Sequence, residues 1–150
     1  FLKNLLKNLS KSMTIPIGRY NNKFDNITPL RLDPNKKLYF AYGSNISKDQ
    51  MKDRCPNSTI AGLSTISNFE FFINQRGYAS IKPSLGKSCS GLLWNIADQD
   101  WERLDRYEGV SRNIYKRIKT KLKIKNDILD CEIYVANNIT IAHYKIVTHN

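Results

Sequence analysis

Four residues that follow an apolar stretch could bind an anion. The stretch 38–41 reads Leu-Tyr-Phe-Ala and is followed by Tyr42, Gly43, Ser44 and Asn45. An apolar run that ends in a glycine and small polar residues is typical of a buried strand that leads into a tight turn. Such a turn can present backbone N–H groups and short polar side chains to a carboxylate, or to an oxyanion that develops during a reaction.

A glutamate farther along the chain is placed at a helix end. Trp101, Leu104 and Glu108 recur at i, i+3 and i+7, a spacing that puts three side chains on one face of a helix. Because the two large apolar residues must bury that face, we expect Glu108 to point inward. Gly109 follows directly and is the preferred residue just beyond a helix C-terminus, so the helix is predicted to stop there with the carboxylate on its last turn.

The elements that must position these residues are predicted from the repeat of apolar residues. The pattern is α+β, with strands in the majority. Strands are expected at 38–42, 68–74, 78–82, 89–96, 115–124, 129–136 and 139–147, and helices near 47–54 and 98–108. On this assignment the anion-binding turn joins the first strand to the first helix, and Glu108 ends the second helix.

One predicted strand has a cationic face. In 117–125 basic residues alternate with apolar residues and one threonine, so one face of the strand is basic throughout. Residues 126–127 are typical of a hairpin turn, and the returning strand carries Asp130 and Glu132, which can lie opposite two of the lysines. No aromatic residues are interleaved with the lysines for base stacking. We therefore favour a solvated sheet face over a nucleic-acid surface, and no nucleic-acid partner is expected.

Length and composition favour one globular domain. The chain has 150 residues, of which 41% are hydrophobic, enough for a single core. No apolar run approaches the roughly 20 residues that cross a membrane. The net charge of +11 is unevenly distributed, since residues 1–37 hold eight of the 24 basic residues and only two of the 13 acidic ones. The charge therefore characterises the start of the chain more than the region with the motifs.

Residues 1–37 are predicted to be a basic extension ahead of a domain at 38–150. Within 1–13 apolar residues follow a helical repeat and lysines recur every four residues on another face, which predicts a basic amphipathic helix. Residues 14–37 read as an irregular linker. Three roles stay open for the helix: weak contact with an anionic membrane, a residual targeting element, or docking on its own domain. Because the chain starts with Phe1, we expect a processed form or a fragment. All motif residues lie beyond position 37, so residues 1–13 are predicted to be dispensable for the chemistry.

The cysteines and histidines do not form a recognisable site. Cys55, Cys89 and Cys131 are odd in number and far apart, which argues against a complete disulfide framework and against zinc. They are expected to be reduced thiols, which fits a cytoplasmic protein. His143 and His149 stand too far from other ligands in sequence to indicate a metal. We predict neither a metal nor another cofactor.

Five short blocks between residues 38 and 136 occur in an order that is typical of one family. They are Tyr42-Gly43-Ser44-Asn45, Met51 with Arg54-Cys55-Pro56, Ala79-Ser80-Ile81-Lys82-Pro83, Gly91-Leu92-Leu93-Trp94, and Leu104-Asp105 with Glu108-Gly109-Val110 and Tyr115. One such block recurs by chance, but five in order are a strong signal. Together they resemble the γ-glutamylcyclotransferase family, also called AIG2-like. The resemblance implies a small mixed β-barrel with flanking helices.

The resemblance also implies a reaction. Members of the family cleave γ-glutamyl dipeptides to 5-oxoproline and the free amino acid, because the substrate's own α-amine attacks its γ-carbonyl and closes a five-membered ring. Intramolecular attack is favoured without a nucleophile from the protein. The chain is therefore expected to be an enzyme of the kind found in glutathione metabolism, with a small γ-glutamyl molecule as its substrate.

The residues implied for the site come from the first and last blocks. Glu108 would carry protons from the attacking ammonium to the leaving nitrogen, aided by a pKa that burial raises. The loop 43–46 would bind the substrate carboxylate and the oxyanion through its backbone N–H groups. The residues that would contact substrate are Tyr42, Gly43, Ser44, Asn45, Ile46, Tyr115 and Tyr134.

Several residues near the motifs have a second interpretation. Asp105 is expected to have a helix-surface or local hydrogen-bonding role, because one carboxylate suffices for the reaction. Tyr134 falls on the strand face that also carries Asp130 and Glu132. Glu108 could itself be a structural glutamate paired with an arginine or a tyrosine. The core is expected to include Trp94 and Trp101.

Two alternatives to cleavage of γ-glutamyl dipeptides stay open. One is action on a γ-glutamylamine such as γ-glutamyl-ε-lysine, and the other is a non-catalytic binding module of the same fold. Many members of the family continue into a C-terminal helical segment that closes over the substrate, whereas 139–147 is predicted to be a strand here. We therefore expect a more open pocket.

Overall fold

The chain alternates strands with two short helices. The computed structural model describes residues 30–124 and 127–137. The elements in chain order are strand β1 at Lys37–Ala41, helix α1 at Lys48–Arg54, strands β2 at Thr59–Ile73 and β3 at Ala79–Ile96, helix α2 at Asp98–Tyr107, and strands β4 at Tyr115–Ile124 and β5 at Asp127–Ala136. Single turns of 3₁₀-helix follow β1, at Ser44–Ile46, and α2, at Val110–Arg112. The predicted α+β class is confirmed.

The shortest strand, β1, lies at the centre of the sheet. The strand order is β2-β3-β1-β5-β4, and β1 runs antiparallel to β3 but parallel to β5. The sheet is therefore mixed, as predicted. The outer strands β2 and β4 also approach each other, so the sheet curves toward a small barrel.

Side chains of β1 alternate between two hydrophobic clusters, as expected for a strand buried on both faces. Leu38, Phe40 and Tyr42 pack into one cluster with residues of β2 to β5. Tyr39 and Ala41 pack into the other, which also contains the buried residues of α1 and α2. The predicted core tryptophans belong to this second cluster and are Trp94 and Trp101. Both helices thus cover the same face of the sheet.

The hairpin of β2 and β3 is longer than predicted. Residues 59–67 fall outside the predicted strands, and the two strands predicted at 78–82 and 89–96 are parts of one strand. Register shifts between Ile60 and Gly62, and between Ser67 and Phe69, let the pairing continue where the sequence pattern breaks. The hairpin is therefore one long ladder with two irregular points.

The predicted helices agree closely with the structure. Helix α1 begins after Ser47, whose hydroxyl accepts a hydrogen bond from the backbone N–H of Gln50 at 3.3 Å, an ordinary N-cap. Helix α2 buries Asp100, Trp101 and Leu104. The Asp100 carboxylate accepts hydrogen bonds from the backbone and side-chain amide of Asn57, at 2.9 and 3.2 Å. That contact ties α2 to the segment that follows α1.

The cationic strand β4 pairs with acidic residues of β5, as predicted. Lys119 lies opposite Glu132 and Lys121 opposite Asp130. Lys121 forms an exposed ion pair with Asp130, whereas Glu132 turns to Arg117, at 3.7 Å. Acidic residues thus partly neutralise the basic face.

The linker predicted up to residue 37 forms no regular element at 30–36 but is attached to the sheet, and its last residue, Lys37, begins β1. The side-chain amide of Asn95 donates to the carbonyl of Arg31 at 2.8 Å, and its oxygen accepts from the N–H of Asp33 at 3.1 Å. The N–H of Arg31 donates to the carbonyl of Ala61 at 2.8 Å. These bonds hold the segment against β2 and β3.

Other predictions lie outside the described residues. They are the amphipathic helix at 1–13, the linker up to 29, the turn residue 126 and the strand at 139–147. Within 30–124 and 127–137, no helix is long and apolar enough to span a membrane.

Candidate active site

The predicted anion-binding loop is a single 3₁₀ turn at the end of β1. The N–H of Ile46 donates to the carbonyl of Gly43 at 3.1 Å, and the N–H of Ser47 to that of Ser44 at 3.0 Å. Among the described residues, the backbone N–H groups of Ser44 and Asn45 have no acceptor. Free N–H groups at the start of such a turn can bind an anion.

Trp94 fixes the loop from the core. Its indole N–H donates to the backbone carbonyl of Asn45 at 2.9 Å. Asn45 and Ile46 are 2% and 4% exposed. The side chain of Asn45 is therefore held inside the protein, where a polar group requires hydrogen-bond partners.

Glu108 stands at the end of α2, as predicted. Its N–H donates to the carbonyl of Leu104 at 2.9 Å, and Gly109 follows with a left-handed φ of 68°. A β-carbon on Gly109 would lie 2.8 Å from Cδ1 of Ile114. The left-handed backbone angle favours glycine here, and the close neighbour adds to the cost of a side chain, so the chain turns sharply just after the carboxylate.

The amide of Asn45 connects the loop to this helix end. Its Nδ2 donates to Oε1 of Glu108 at 2.8 Å and to the hydroxyl oxygen of Tyr39 at 2.9 Å. The structure thus brings together the two sequence motifs that were predicted to form one site.

Arg54 completes the contacts of the Asn45 amide. Its Nη1 donates to Oδ1 of Asn45 and, at 3.2 Å, to the hydroxyl of Ser44. The guanidinium carbon lies 3.4 Å from the centre of the Tyr107 ring, in cation–π geometry. The side chain is therefore held between the loop and the last turn of α2.

Burial raises the pKa of the Glu108 carboxyl above its ordinary value, and the nearby charge of Asp105 adds to the rise. The hydrogen bond from Asn45 and the charge of Arg54 act in the opposite direction, because both favour the ionised carboxylate. A carboxyl group whose pKa lies closer to neutrality can both accept and return a proton.

Two of the predicted pocket tyrosines lie near Glu108 with their hydroxyls engaged. Tyr115 donates to the carbonyl of Ala79 at 2.7 Å, and Tyr42 donates to the carbonyl of Tyr134. Burial raises the pKa of both phenols, and the Glu108 charge adds to each rise. These bonds fix the two rings beside the carboxylate.

Tyr134 and Asp105 have a different arrangement. Tyr134 donates its hydroxyl proton to Oδ1 of Asp105 at 2.6 Å, and Oδ2 of Asp105 lies 3.6 Å from Arg117. The prediction of a surface or local role for Asp105 is wrong, because the carboxylate is half-buried and its partners come from β4 and β5. Arg117 also pairs with Glu132 and lies over the ring of Trp101, 4.6 Å from its centre.

Sequence reasoning did not identify Tyr39 and Arg54 as part of the site. Tyr39 belongs to an apolar strand and reads as a core residue, which it also is. Arg54 belongs to one of the five blocks, but no pattern around it in the sequence indicates a role. The available signal was its position six residues into a helix that starts beside the loop, which lets the last turn of α1 face back toward the loop.

Other concave surfaces lie away from Glu108. A cleft of about 660 Å³ lies between the 32–38 segment and the β4–β5 hairpin, and another of about 260 Å³ lies beside Cys55 and Trp94. Glu108 lines neither, so the candidate site is defined by its hydrogen bonds and charges. In the described part of the chain, no three His, Cys, Asp or Glu side chains are grouped so that they could hold a metal ion.

The chain is similar to several known proteins. A family model described as gamma-glutamyl cyclotransferase, AIG2-like, matches residues 39–150. The gamma-glutamylcyclotransferase of Mus musculus is 28% identical over 112 residues, which are 67% of this chain and 60% of that protein. The protein of the same name from Homo sapiens is 27% identical over 117 residues, 71% of this chain and 62% of its own.

Solved structures resemble the fold as well. One named gamma-glutamyl cyclotransferase has a TM-score of 0.64 and 25% sequence identity, and the match covers 69% of this chain and 68% of that one. The chain spans about 60% of the length of the curated relatives it matches.

Proposed function

Because the chain belongs to the gamma-glutamyl cyclotransferase, AIG2-like family, we propose that it cyclises γ-glutamyl amino acids to 5-oxoproline and releases the free amino acid. The observation that carries the proposal is the hydrogen bond between Asn45 and Glu108. It joins a loop with free backbone N–H groups to a carboxylate whose pKa is raised.

The reaction balances within the substrate. The α-amino nitrogen attacks the γ-carbonyl carbon, a C–N bond forms, and the bond from that carbon to the leaving nitrogen breaks. The α-ammonium nitrogen loses two protons in all and the leaving nitrogen gains two, so no further reactant is needed. The protein has to fold the substrate into the attacking conformation and move protons.

Glu108 is the group proposed to move them. An ionised carboxylate takes a proton from the α-ammonium, and the protonated form returns one to the leaving nitrogen as the tetrahedral intermediate collapses. Burial favours the protonated form of Glu108, while Asn45 and Arg54 favour the ionised form. The surroundings thus act on the carboxyl group in both directions, which suits a group that alternates between the two forms.

The loop is proposed to bind the charged oxygens of the substrate. The N–H groups of Ser44 and Asn45 lack protein acceptors among the described residues and can donate to the substrate carboxylate or to the oxyanion of the intermediate. Gly43, Ile46, Tyr42 and Tyr115 would shape the same pocket. Tyr134 would act on it indirectly, since Asp105 engages its hydroxyl.

The test is a substrate panel. Purified protein is incubated with γ-glutamyl dipeptides, with γ-glutamylamines including γ-glutamyl-ε-lysine, and with matched α-glutamyl dipeptides, and 5-oxoproline is measured. We expect release of 5-oxoproline from γ-glutamyl dipeptides and none from the α-linked peptides, because these have no γ-amide for the amine to attack. If only the γ-glutamylamines are turned over, the substrates are γ-glutamylamines and not dipeptides. If the dipeptides bind without turnover, the chain is a binding module.

A further inference from the structure

The orientation of the Asn45 amide is decided by the residue on its far side. An asparagine amide has an acceptor end and a donor end that differ little in shape. Arg54 has only donors, so the atom that faces it must be Oδ1, and Nδ2 must then face Glu108 and Tyr39. Tyr39 could accept or donate and so cannot by itself fix the orientation.

We propose that Arg54 is a positioning residue, which holds the Asn45 amide so that its N–H group faces Glu108. With the amide reversed, Oδ1 would face Glu108 and could bond only the protonated carboxyl group. Arg54 thereby makes the site favour the ionised carboxylate that begins the proposed reaction. The importance of this orientation for turnover rests on the proposed function, whereas the orientation itself does not.

The surroundings of Arg54 suit this role. Nη1 also donates to the hydroxyl of Ser44, and the Tyr107 ring packs against the guanidinium. Among the described residues, Arg54 forms no salt bridge. Within the described ranges its charge is therefore not neutralised by a carboxylate, and its hydrogen-bond acceptors there are two residues of the loop.

Several titratable or charged groups interact electrostatically with Glu108. They are Arg54 at the end of α1, Cys55 just after it, Asp105 on α2 itself, Tyr39 and Tyr42 at β1, and Tyr115 on β4. Arg54 is the only cation in this set of described residues. Asp105, the other carboxylate, is itself paired with Arg117.

The test measures the pKa of the Glu108 carboxyl by carbon-13 NMR titration of the wild type, Arg54→Gln, Asn45→Ala and the double variant. If Arg54 acts through Asn45, Arg54→Gln raises this pKa strongly in the wild-type background and much less in the Asn45→Ala background. An equal rise in both backgrounds would show direct electrostatics alone, and no rise would show a structural role; either result overturns the proposal. Arg103→Gln is the matched control, since Arg103 donates to the backbone carbonyls of Asp53 and Arg54 at the same helix junction and should leave the pKa unchanged.

A second measurement needs no variant that might fold poorly. In the wild type, the Asn45 side-chain N–H resonances should shift with the titration of Glu108, because they donate to it. Resonances that do not shift with this titration would overturn the proposal.

In turnover assays, Arg54→Gln should lower kcat by about 10- to 100-fold, with a smaller change in KM. If no γ-glutamyl compound is turned over, the proposed function fails while the NMR measurements still decide the role of Arg54.

Discussion

Asn45 Nδ2 lies 2.8 Å from Oε1 of Glu108, and this bond joins two parts of the chain that are far apart in sequence. Asn45 follows β1, the central strand of the sheet. Glu108 ends α2, which packs on the face of the sheet that carries Tyr39 and Ala41. The position of one side chain therefore depends on the packing of α2 against β1. The consequences can be tested at both ends of the bond and in the packing around it.

Glu108→Gln should lower kcat by about 10²- to 10⁴-fold, the usual contribution of a positioned acid–base group. Glutamine keeps the size of the side chain and an oxygen that accepts the Asn45 bond, but it cannot take up a proton. Thermal unfolding should show an unchanged or raised Tm, because the amide avoids the cost of a buried charge. Glu102→Gln is the matched control, on the same helix with a side chain that is 83% exposed, and it should keep full activity. Equal activity of the two variants would reject the proton-transfer role.

The raised pKa of Glu108 should appear in the pH dependence of kcat/KM and in the pH dependence of stability. The acidic limb of kcat/KM should lie above the ordinary glutamate value of 4.5, because the free enzyme must hold an ionised carboxylate. The folded protein binds this proton more tightly than the unfolded chain does, so ionisation costs stability as pH rises from 4.5 through the folded pKa. The stability gain of Glu108→Gln over the wild type should therefore appear across that interval and be absent below it. A gain that is constant with pH would contradict the shift.

Arg117→Gln should destabilise the fold by about 1–3 kcal/mol, because it removes the cation that pairs with both Asp105 and the buried Glu132. Lys121→Gln makes a matched change four residues along the same strand. The ion pair of Lys121 with Asp130 is solvent-exposed, so this change should leave stability unchanged. Urea unfolding of the two variants measures the difference. Similar effects would show that burial of Glu132 does not depend on Arg117.

Gly91→Ala should destabilise the protein by more than about 1 kcal/mol, since a β-carbon there has no room. It would lie 2.6 Å from Cζ of Phe40 and still closer to the backbone carbonyl oxygen of Ala41. Strands β1 and β3 would have to separate at the point where β1 leads into the loop. Ser88→Ala, at an exposed position of the same strand, is the control for unfolding experiments and should behave as the wild type.

The three cysteines should be unreactive in the native protein. They are free and buried, and burial raises the pKa of Cys89 to about 11 and those of Cys55 and Cys131 to about 12. Thiolates, the reactive species, are therefore scarce near neutral pH. A thiol reagent at pH 8 should label none of them until urea is added, when all three react. Rapid native labelling would show that a thiol is accessible.

Local sequence predicted the elements that end at strong signals. Gly109 marked the end of α2, and the alternation in β4 and β5 gave their pairing. Residues 59–67 were missed because alanine, glycine and serine interrupt the apolar alternation, and Gly62 lies at a register shift. The gap predicted between strands 78–82 and 89–96 contains Pro83 and Gly86 and lies within β3. The strand continues through this point because it pairs with β2. On its other side β1 pairs only with the later part of β3, so the N–H that Pro83 lacks is tolerated there.

The same reason explains why only part of the site was predicted. The loop and Glu108 carry recognisable local patterns, a glycine turn after a strand and a carboxylate on an apolar helix face. Arg54 and Tyr39 do not, because each acts through an amide that approaches it only in the folded chain. The partners of Asp105 were missed likewise, since Tyr134 and Arg117 belong to the distant β5 and β4.

The central position of β1 has a consequence for how the protein is made. On the ribosome β1 emerges before both of its neighbours, since Tyr39 pairs with Trp94 on one side and Glu132 on the other. Its apolar residues and backbone groups stay without their strand partners while more than half of the described chain is translated. Exposed strands of this kind are prone to aggregate or to recruit chaperones. The yield of this protein should therefore depend on the rate of synthesis and the supply of chaperones.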